Sequence, residues 1–237
     1  MEFNTNQKEA IHTIDGNMVV IAAAGSGKTS VLTYRILNMV KNYGIDPTTI
    51  LAVTFSKKAK ESIEQRLGKL GVANVNVETF HSLALKIITS TYGYGKYKVW
   101  TASWEKEKAL KEICCDLLGL CRNKDDVPYN GILRFLGIQK TNMLGSTDSL
   151  IYSDDDPYPD DRMKKIYKMY EDYKKDKSYI EFDDFLNMAN QCFDKFPDIL
   201  KFYQNKYLYV LSDEFQDVSM AQSLLLKRIN NKEIKRA

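Results

Sequence analysis

The residues best suited to chemistry lie in one short segment, GSGKT, from Gly25 to Thr29. Gly25 and Gly27 let the backbone turn its N–H groups towards an anion, and the start of a following helix adds partial positive charge. The amine of Lys28 can then reach the outer phosphates of a nucleotide, while the hydroxyl of Thr29 is a ligand for Mg²⁺. The segment predicts a phosphate-binding loop, the alternative being a chance glycine-rich turn.

The usual pattern of this loop, G-x-x-x-x-G-K-[ST], begins with glycine, but Ala22 stands at that position in this chain. We expect the position to tolerate alanine, because the glycines nearest the lysine build the anion-binding turn. The residues predicted to bind the nucleotide in this loop are Ala24, Gly25, Ser26, Gly27, Lys28, Thr29 and Ser30.

A second segment, YVLSDEFQD, supplies the carboxylates that such a loop requires. Its apolar part is typical of a strand, and this strand is followed by Asp213 and Glu214. Asp213 is predicted to hold Mg²⁺ together with Thr29, and Glu214 to accept the proton of an attacking water. Adjacent acidic residues are usually a solvated turn, but their position after an apolar strand favours a catalytic role.

The elements that must position these residues alternate between strand and helix over the first ninety residues. Strand patterns lie at 18–24 (MVVIAAA), 50–55 (ILAVTF) and 75–80 (VNVETF), and each is followed by a helical pattern. Strand texture returns at 206–214, and a helical pattern follows at 219–229. This alternation predicts an α/β fold with a parallel sheet.

The middle of the chain, from about residue 90 to 206, is predicted to be helical, with no convincing strand between the helices. Helical patterns occupy 103–121, 160–177 and 183–196. We therefore predict a nucleotide-binding α/β domain at 1–89 plus 207–237, and a mainly helical subdomain inserted into it at 90–206.

Composition narrows the class of protein. The 237 residues carry 34 basic and 31 acidic side chains, and this balance is too mild to indicate nucleic acid by itself. No apolar run has the length of a membrane span and no signal-peptide core is visible, so we expect a cytoplasmic protein with no membrane partner. The four cysteines form no C-x-x-C pair, which favours reduced, mostly buried thiols over a zinc site.

Several segments in a fixed order resemble the motifs of one enzyme family. FNTNQKEAI resembles its Q motif, VVIAAAGSGKTSVLTYRI motif I, ILAVTFSKKAKESIEQRL motif Ia and VNVETFHSLALKII motif Ib. YIEFDDFL resembles the segment before motif II, and LSDEFQDVSMAQ motif II itself. The chain thus resembles the N-terminal part of superfamily 1A DNA helicases of the UvrD/Rep/PcrA type.

This resemblance implies a RecA-like P-loop NTPase domain that carries a helical insertion, with ATP and Mg²⁺ as cofactors. It implies ATP-driven movement on single-stranded DNA, 3′ to 5′ in most members, coupled to DNA unwinding in repair, replication or recombination. The implied partners are single-stranded DNA, DNA junctions, and repair or recombination proteins.

The resemblance also assigns roles at the nucleotide. It implies that Gln7 reads the adenine edge, that Arg66 approaches the nucleotide, and that Gln216 senses the nucleotide state. A surface glutamine and an ordinary helix-surface arginine are the alternatives for the first two residues. The implied catalytic residues are Lys28, Asp213, Glu214 and Gln216.

For DNA, the resemblance implies that Phe55 stacks on a base and that Thr79 and His81 contact the backbone or bases. Such stacking tolerates any sequence, which suits a motor. Lys57 replaces an asparagine of the family pattern and adds charge that can meet phosphates. The alternatives are a core phenylalanine for Phe55 and a neighbour of a helix cap for His81.

Two features depart from the family pattern. Ser30 stands where members such as UvrD carry an arginine that stacks on adenine, so we expect weak ATP binding. Motif III and the second RecA-like domain, which contributes the arginine fingers, are missing from the sequence. We therefore expect an N-terminal fragment that lacks this domain in cis and hydrolyses almost no ATP alone.

Two alternatives stay open for the function. One is the ATPase subunit of a helicase–nuclease, and the other is a non-catalytic DNA-binding module that kept the fold. The retained Lys28, Thr29, Asp213, Glu214 and Gln216 favour a motor, since a module without activity has no physical need for all five.

Overall fold

The computed structural model of the protein describes residues 2–23 and 25–230, and within them the chain divides into two compact units. The sheet unit is drawn from Met1–Leu83, Lys195–Val218 and Gln222–Ala237, and the helical unit from Ala84–Asp194 and Ser219–Ala221. The predicted domain boundaries after residues 89 and 206 stay a prediction. No helix of the described residues is both long and apolar enough to cross a membrane.

Helices make up most of the regular structure in the described residues, and the strands between them are short. The helices are α1 (Thr5–His12), α2 (Lys28–Lys41), α3 (Lys57–Lys69), α4 (Phe80–Tyr92), α5 (Ser103–Lys111), α6 (Tyr129–Thr141), α7 (Asp160–Asp176), α8 (Phe182–Lys195), α9 (Pro197–Lys206) and α10 (Met220–Asn230). The strands are β1 (Ile50–Thr54), β2 (Asn76–Thr79), β3 (Lys98–Val99), β4 (Tyr179–Ile180) and β5 (Tyr209–Ser212).

A parallel sheet in the order β2–β1–β5 forms the centre of the sheet unit. Every residue of the central strand β1 is buried, as expected for an apolar strand covered on both faces. The register aligns Ala52 with Val77 of β2 and with Leu211 of β5. Because parallel strands run in one direction, the segments that follow these three strands leave the sheet at the same edge.

Helices α2 and α3 pack on this sheet through apolar side chains. Ile36 and Met39 of α2 and Ile63 and Leu67 of α3 share one buried cluster with Ile50. Their spacing of three or four residues places each pair on one face of its helix. These elements confirm the predicted α/β fold with a parallel sheet, including the strands predicted at 50–55, 75–80 and 206–214.

The strand predicted at 18–24 is wrong. Residues 18–23 belong to no regular element, and Ala24 lies outside the described residues. Val19 and Ile21 are 75% and 94% exposed. An apolar run indicates what a segment would bury, but a strand also needs backbone partners on a neighbouring strand. In the described part of the chain, the sheet that would supply those partners ends at β5.

The expectation of no convincing strand between the helices of the middle segment is also wrong, because β3 and β4 pair in parallel within the helical unit. The backbone N–H of Lys98 donates to the carbonyl of Ser178 over 2.8 Å, and that of Trp100 to Ile180 over 2.7 Å. The Trp100 indole is buried and stacks on Tyr179, with 5.0 Å between ring centroids. Strands of two residues are too short to produce an alternating pattern.

A buried charge cluster lies in the same unit and consists of Lys140, Lys174, Glu181 and Asp184. Each lysine contacts both carboxylates, over distances of 2.7 to 3.3 Å. Burial alone would raise the pKa of Glu181, but the two lysine charges hold it well below its usual value. Burial alone would lower the pKa of Lys140, but the surrounding carboxylates raise it well above its usual value.

The expectation that all four thiols are reduced is wrong for one pair, because Cys115 and Cys121 form a disulfide with Cα atoms 4.9 Å apart. A turn of π-helix at Glu112–Leu117 and the left-handed Gly119, at φ +60°, bring the second cysteine back to the first. Spacing in the sequence alone does not reveal such a turn. The Cys114 thiol is buried, which raises its pKa to about 11.

Candidate nucleotide site and nucleic-acid surface

The loop before α2 has the backbone of an anion-binding turn. Gly25 and Gly27 have φ angles of +78° and +84°, in the left-handed region that favours glycine. A Cβ at Gly25 would meet no atom within 4 Å, so the backbone angle and not space requires glycine there. Gly27 precedes α2 without a side-chain cap among the described residues, which leaves the first N–H groups of the helix for an anion. The predicted Ala24 lies outside the described residues.

The ammonium group of Lys28 lies between the loop and the acidic segment. It donates to the carbonyl oxygen of Ala22 over 3.2 Å and lies 3.7 Å from the carboxylate of Glu214. The Lys28 side chain keeps 21% of its surface exposed. The position that breaks the usual glycine pattern thus contributes through its backbone carbonyl, and its side chain plays no part in this contact.

Thr29 and Asp213 meet directly. The Thr29 hydroxyl donates to Oδ2 of Asp213 over 2.9 Å, although the two residues are 184 positions apart. Asp213 follows β5, and its N–H donates to the carbonyl of Val53 over 3.0 Å, which extends the β1–β5 ladder. A hydroxyl and a carboxylate are oxygen ligands of the kind that Mg²⁺ prefers when phosphates and water complete its shell. The donor set therefore fits Mg²⁺ bound together with a nucleotide.

Glu214 has an unusual backbone. Its φ of +52° and ψ of +47° lie in the left-handed region, which costs a non-glycine residue on the order of 1 kcal/mol. The side-chain amide of Gln216 donates to the Glu214 carboxylate. The structure thus brings together Lys28, Glu214 and Gln216, three of the residues predicted to be catalytic.

Gln7 contacts the phosphate-binding loop from α1. Its Nε2 donates to the carbonyl of Ser26 over 2.9 Å, while its Oε1 accepts the backbone N–H of Asn4 over 3.0 Å. Asn4 returns a bond to the Gln7 N–H, so the pair forms a capping box. Both ends of the amide are engaged within the protein. Each end still has one further donor or acceptor position, and the proposed contact with adenine stays a prediction.

Arg66 and Ser30 form another contact at this site. The Nη1 of Arg66, from α3, donates to the Oγ of Ser30 over 3.0 Å. A guanidinium group therefore lies beside position 30, in the first turn of α2, where the family pattern has an arginine.

The residues predicted to contact DNA lie where β1 and β2 pass into the following helices. Phe55 directly follows β1 and is 54% exposed, so it is not a core residue. Lys57 begins α3 with 88% of its side chain exposed, 3.9 Å from Glu61. Thr79 ends β2, His81 lies in the first turn of α4, and both are half-buried. Because β1 and β2 are parallel neighbours, these four residues lie along one edge of the sheet unit.

Several contacts of the site escaped the sequence patterns. The carbonyl oxygens of Ala22 and Ser26 carry no signal, because every residue has such a group. The capping pair of Asn4 and Gln7 could have been found from its N-x-x-Q spacing before a helical run. The buried Glu78, next to Thr79, was also missed, although a glutamate inside an apolar strand is itself unusual.

The sequence of this chain was compared with models of known protein families. Residues 3–235 match the model of the UvrD/REP helicase N-terminal domain. The chain belongs to this family. The matched range contains the three strands of the parallel sheet, the phosphate-binding loop and the acidic segment, and the match confirms the resemblance drawn from the motifs.

Three relatives show how much of the family's length this UvrD/REP-type chain represents. It is 31% identical to the putative ATP-dependent DNA helicase YjcD of Bacillus subtilis, over 97% of this chain and 30% of the relative. It is 35% identical to DNA helicase II of Rickettsia typhi, over 93% and 34%. It is 27% identical to the ATP-dependent DNA helicase PcrA of Staphylococcus aureus, over 97% and 32%. The chain spans about a third of the length of these relatives.

Proposed function

We propose that the sheet unit binds ATP with Mg²⁺ as the ATP-binding part of an ATP-dependent DNA helicase or translocase. The observation that carries the proposal is the direct contact of Thr29 with Asp213, beside the contact of Lys28 with Glu214. These four side chains come from the two ends of the sequence and meet at one edge of the sheet. Movement 3′ to 5′ on single-stranded DNA, and a role in repair, replication or recombination, are part of the proposal.

Each of these residues has a task that follows from its chemistry. Lys28 exchanges its contacts with Ala22 and Glu214 for the outer phosphates of ATP, because a phosphate offers it more negative charge. Thr29 and Asp213 would hold Mg²⁺, which neutralises phosphate charge when it is bound. Glu214 then loses its lysine partner and can accept the proton of a water molecule.

Around this centre, the amide of Gln216 donates to the Glu214 carboxylate. Gln216 is therefore proposed to respond when Lys28 moves from Glu214 to the nucleotide. Gln7 connects α1 to the loop through Ser26 and is proposed to turn towards adenine. Arg66, which contacts Ser30, is proposed to lie against the nucleotide from the side of α3. The backbone N–H groups of Gly25, Ser26 and Gly27 are proposed to bind phosphate oxygens, together with Ala24.

Single-stranded DNA and DNA junctions are the proposed substrates. The exposed ring of Phe55 offers a stacking surface, and base–aromatic stacking is worth about 1–3 kcal/mol per base. Lys57 adds a cation beside it, and Thr79 and His81 lie at the neighbouring strand end. Repair or recombination proteins are proposed as further partners, and the helical unit is proposed to be an insertion in the ATP-binding domain.

A titration of a fluorescent ATP analogue with Mg²⁺ tests the ATP-binding proposal. We expect Lys28→Ala to weaken binding at least about tenfold, because a charge-assisted bond to phosphate is lost. Lys41→Ala is the matched control, since it removes an exposed lysine from the other end of the same helix. Equal affinity of the wild type and Lys28→Ala would contradict the proposal and favour a non-catalytic DNA-binding module.

A further inference from the structure

Glu78 is a charged residue in a place that favours apolar ones. It lies in strand β2, pairs in register with Val53 of β1, and is 3% exposed. Burying a carboxylate is costly unless it is paired and hydrogen-bonded. Its carboxylate accepts the hydroxyl of Ser82 over 2.6 Å and the ammonium of Lys60 over 3.2 Å. A local rule broken in this way, next to a proposed site, points to a function beyond packing.

On one side, Glu78 controls the junction between β2 and α4. The backbone N–H of Thr79 donates to Ser82 Oγ over 2.9 Å, and the N–H of Ser82 donates to Thr79 Oγ1 over 3.1 Å. These reciprocal bonds form a capping box at the start of α4. A serine hydroxyl has one proton, and the Glu78 carboxylate at 2.6 Å is a closer and charged acceptor for it than the carbonyl oxygen of Thr79 at 3.0 Å. The oxygen of Ser82 is thereby turned to accept from Thr79.

On the other side, Glu78 connects to α3. Lys60 lies one turn after Lys57 in this helix, and Phe55 immediately precedes the helix cap, Ser56. The bond from Lys60 to Glu78 therefore links the first proposed DNA segment, at the end of β1, to the second, at the end of β2. Lys60 also neutralises a carboxylate that would otherwise repel a phosphate backbone.

We infer that Glu78 is a positioning residue for nucleic-acid binding, which acts through Ser82 on Thr79 and through Lys60 on the start of α3. The inference rests on the proposed function, since it takes these two strand ends as the DNA-binding surface. The ligand class is single-stranded nucleic acid, and Glu78 itself does not touch it.

Fluorescence anisotropy of a labelled oligo(dT), bound at low salt, measures this role. We expect Glu78→Ala and Ser82→Ala each to weaken binding about tenfold, because Ser82→Ala removes the acceptor of the Thr79 N–H and Glu78→Ala removes the acceptor that orients the Ser82 hydroxyl. Glu78→Gln should stay within about twofold of the wild type, because its amide oxygen still accepts from Ser82. Glu64→Ala is the matched control, since it removes the exposed partner of Lys60, at 3.8 Å, and leaves Thr79 untouched.

The results separate the inference from the function on which it rests. If Glu78→Gln binds as weakly as Glu78→Ala, the residue only balances charge and the inference is overturned. If neither Glu78→Ala nor Ser82→Ala weakens binding while Phe55→Ala does, the inference fails and the proposed DNA surface stands. If the wild type does not bind oligo(dT), the proposed surface fails and the inference with it. Thermal unfolding is recorded for each variant, and Ser82→Ala decides the test if Glu78→Ala does not fold.

Discussion

Strand β5 is followed by Asp213 and Glu214, and strand β4 is followed by Glu181 and, three residues later, Asp184. At β5 the carboxylates have few charged partners. Thr29 contacts Asp213, while Glu214 accepts from the amide of Gln216 and lies 3.7 Å from Lys28, with its side chain 42% exposed. At β4 the carboxylates share two lysines with only 4% and 3% of their side chains exposed. Similar residue types after similar strands therefore form two different environments.

The two regions differ in how completely their charged groups are already paired within the protein. In the buried charge cluster, Lys140 and Lys174 each contact several carboxylates, so the cluster has no capacity left for a ligand. At the nucleotide site, Lys28 has one long ion pair and one carbonyl contact. Such weak, partly solvated bonds are easily exchanged for a phosphate. Acidic residues after a strand thus indicate a ligand site only where they are incompletely paired.

The largest effect expected from this comparison is on stability. Lys140→Ala leaves buried carboxylates without one of their cations, and we expect it to destabilise the protein by about 3–5 kcal/mol. Urea unfolding, followed by tryptophan fluorescence, measures the change in the helical unit, where both tryptophans lie.

Lys168→Ala is the control for this prediction, because Lys168 forms an exposed pair with Asp172 over 3.3 Å. We expect that change to stay within about 0.5 kcal/mol. Equal losses for the two lysines would mean that burial does not distinguish the cluster from the surface.

The second effect is on how the free energy of unfolding depends on pH. The pKa of Glu181 is lowered in the folded protein. Its contribution to stability is therefore fully present above the pKa of the unfolded chain, about 4.3. The contribution is lost as the pH falls from there towards the pKa of the folded protein. We expect unfolding free energies measured between about pH 6 and pH 3 to fall steeply in the wild type.

Glu181→Gln should flatten this fall, since the glutamine does not titrate. Glu107→Gln, which removes an exposed partner of Lys111, should keep the wild-type slope. The same slope in Glu181→Gln and wild type would show that the cluster does not control acid stability.

The smallest effect concerns the backbone of the nucleotide site. Glu214 has a left-handed φ of +52°, so we expect Glu214→Gly to raise stability by about 0.5–1 kcal/mol while removing the proposed proton acceptor. Glu214→Ala removes the same carboxylate but keeps the strain, and it should gain nothing from the backbone. If the two variants unfold alike, the conformation of Glu214 is not strained.

Much of the sheet unit could be predicted from the sequence, because its elements and its chemistry are local. The strand of Ile50–Thr54, the turn at Gly25 and Gly27, and the acidic pair after β5 each leave a pattern within about ten residues. The pattern at 18–24 predicted a strand that the structure does not contain, because an apolar run does not determine whether a neighbouring strand is available to pair with it.

What the sequence could not supply are contacts that depend on how the chain folds back on itself. Three contacts depend on how elements pack or how the chain turns: the bond from Lys60 to Glu78, the bond from Arg66 to Ser30, and the disulfide at Cys115. A glutamate in a strand and a lysine in a helix show only that each is charged, and their partnership appears once the register is known.

The decisive experiment for a nucleotide site built on Thr29 and Asp213 is calorimetric titration of ATP with and without Mg²⁺, in the wild type and in Asp213→Asn. We predict that Mg²⁺ strengthens ATP binding to the wild type about tenfold, and that Asp213→Asn binds ATP with little dependence on Mg²⁺. Two results would contradict this assignment of the site: an ATP affinity of the wild type that does not change with Mg²⁺, or an equally large effect of Mg²⁺ in Asp213→Asn.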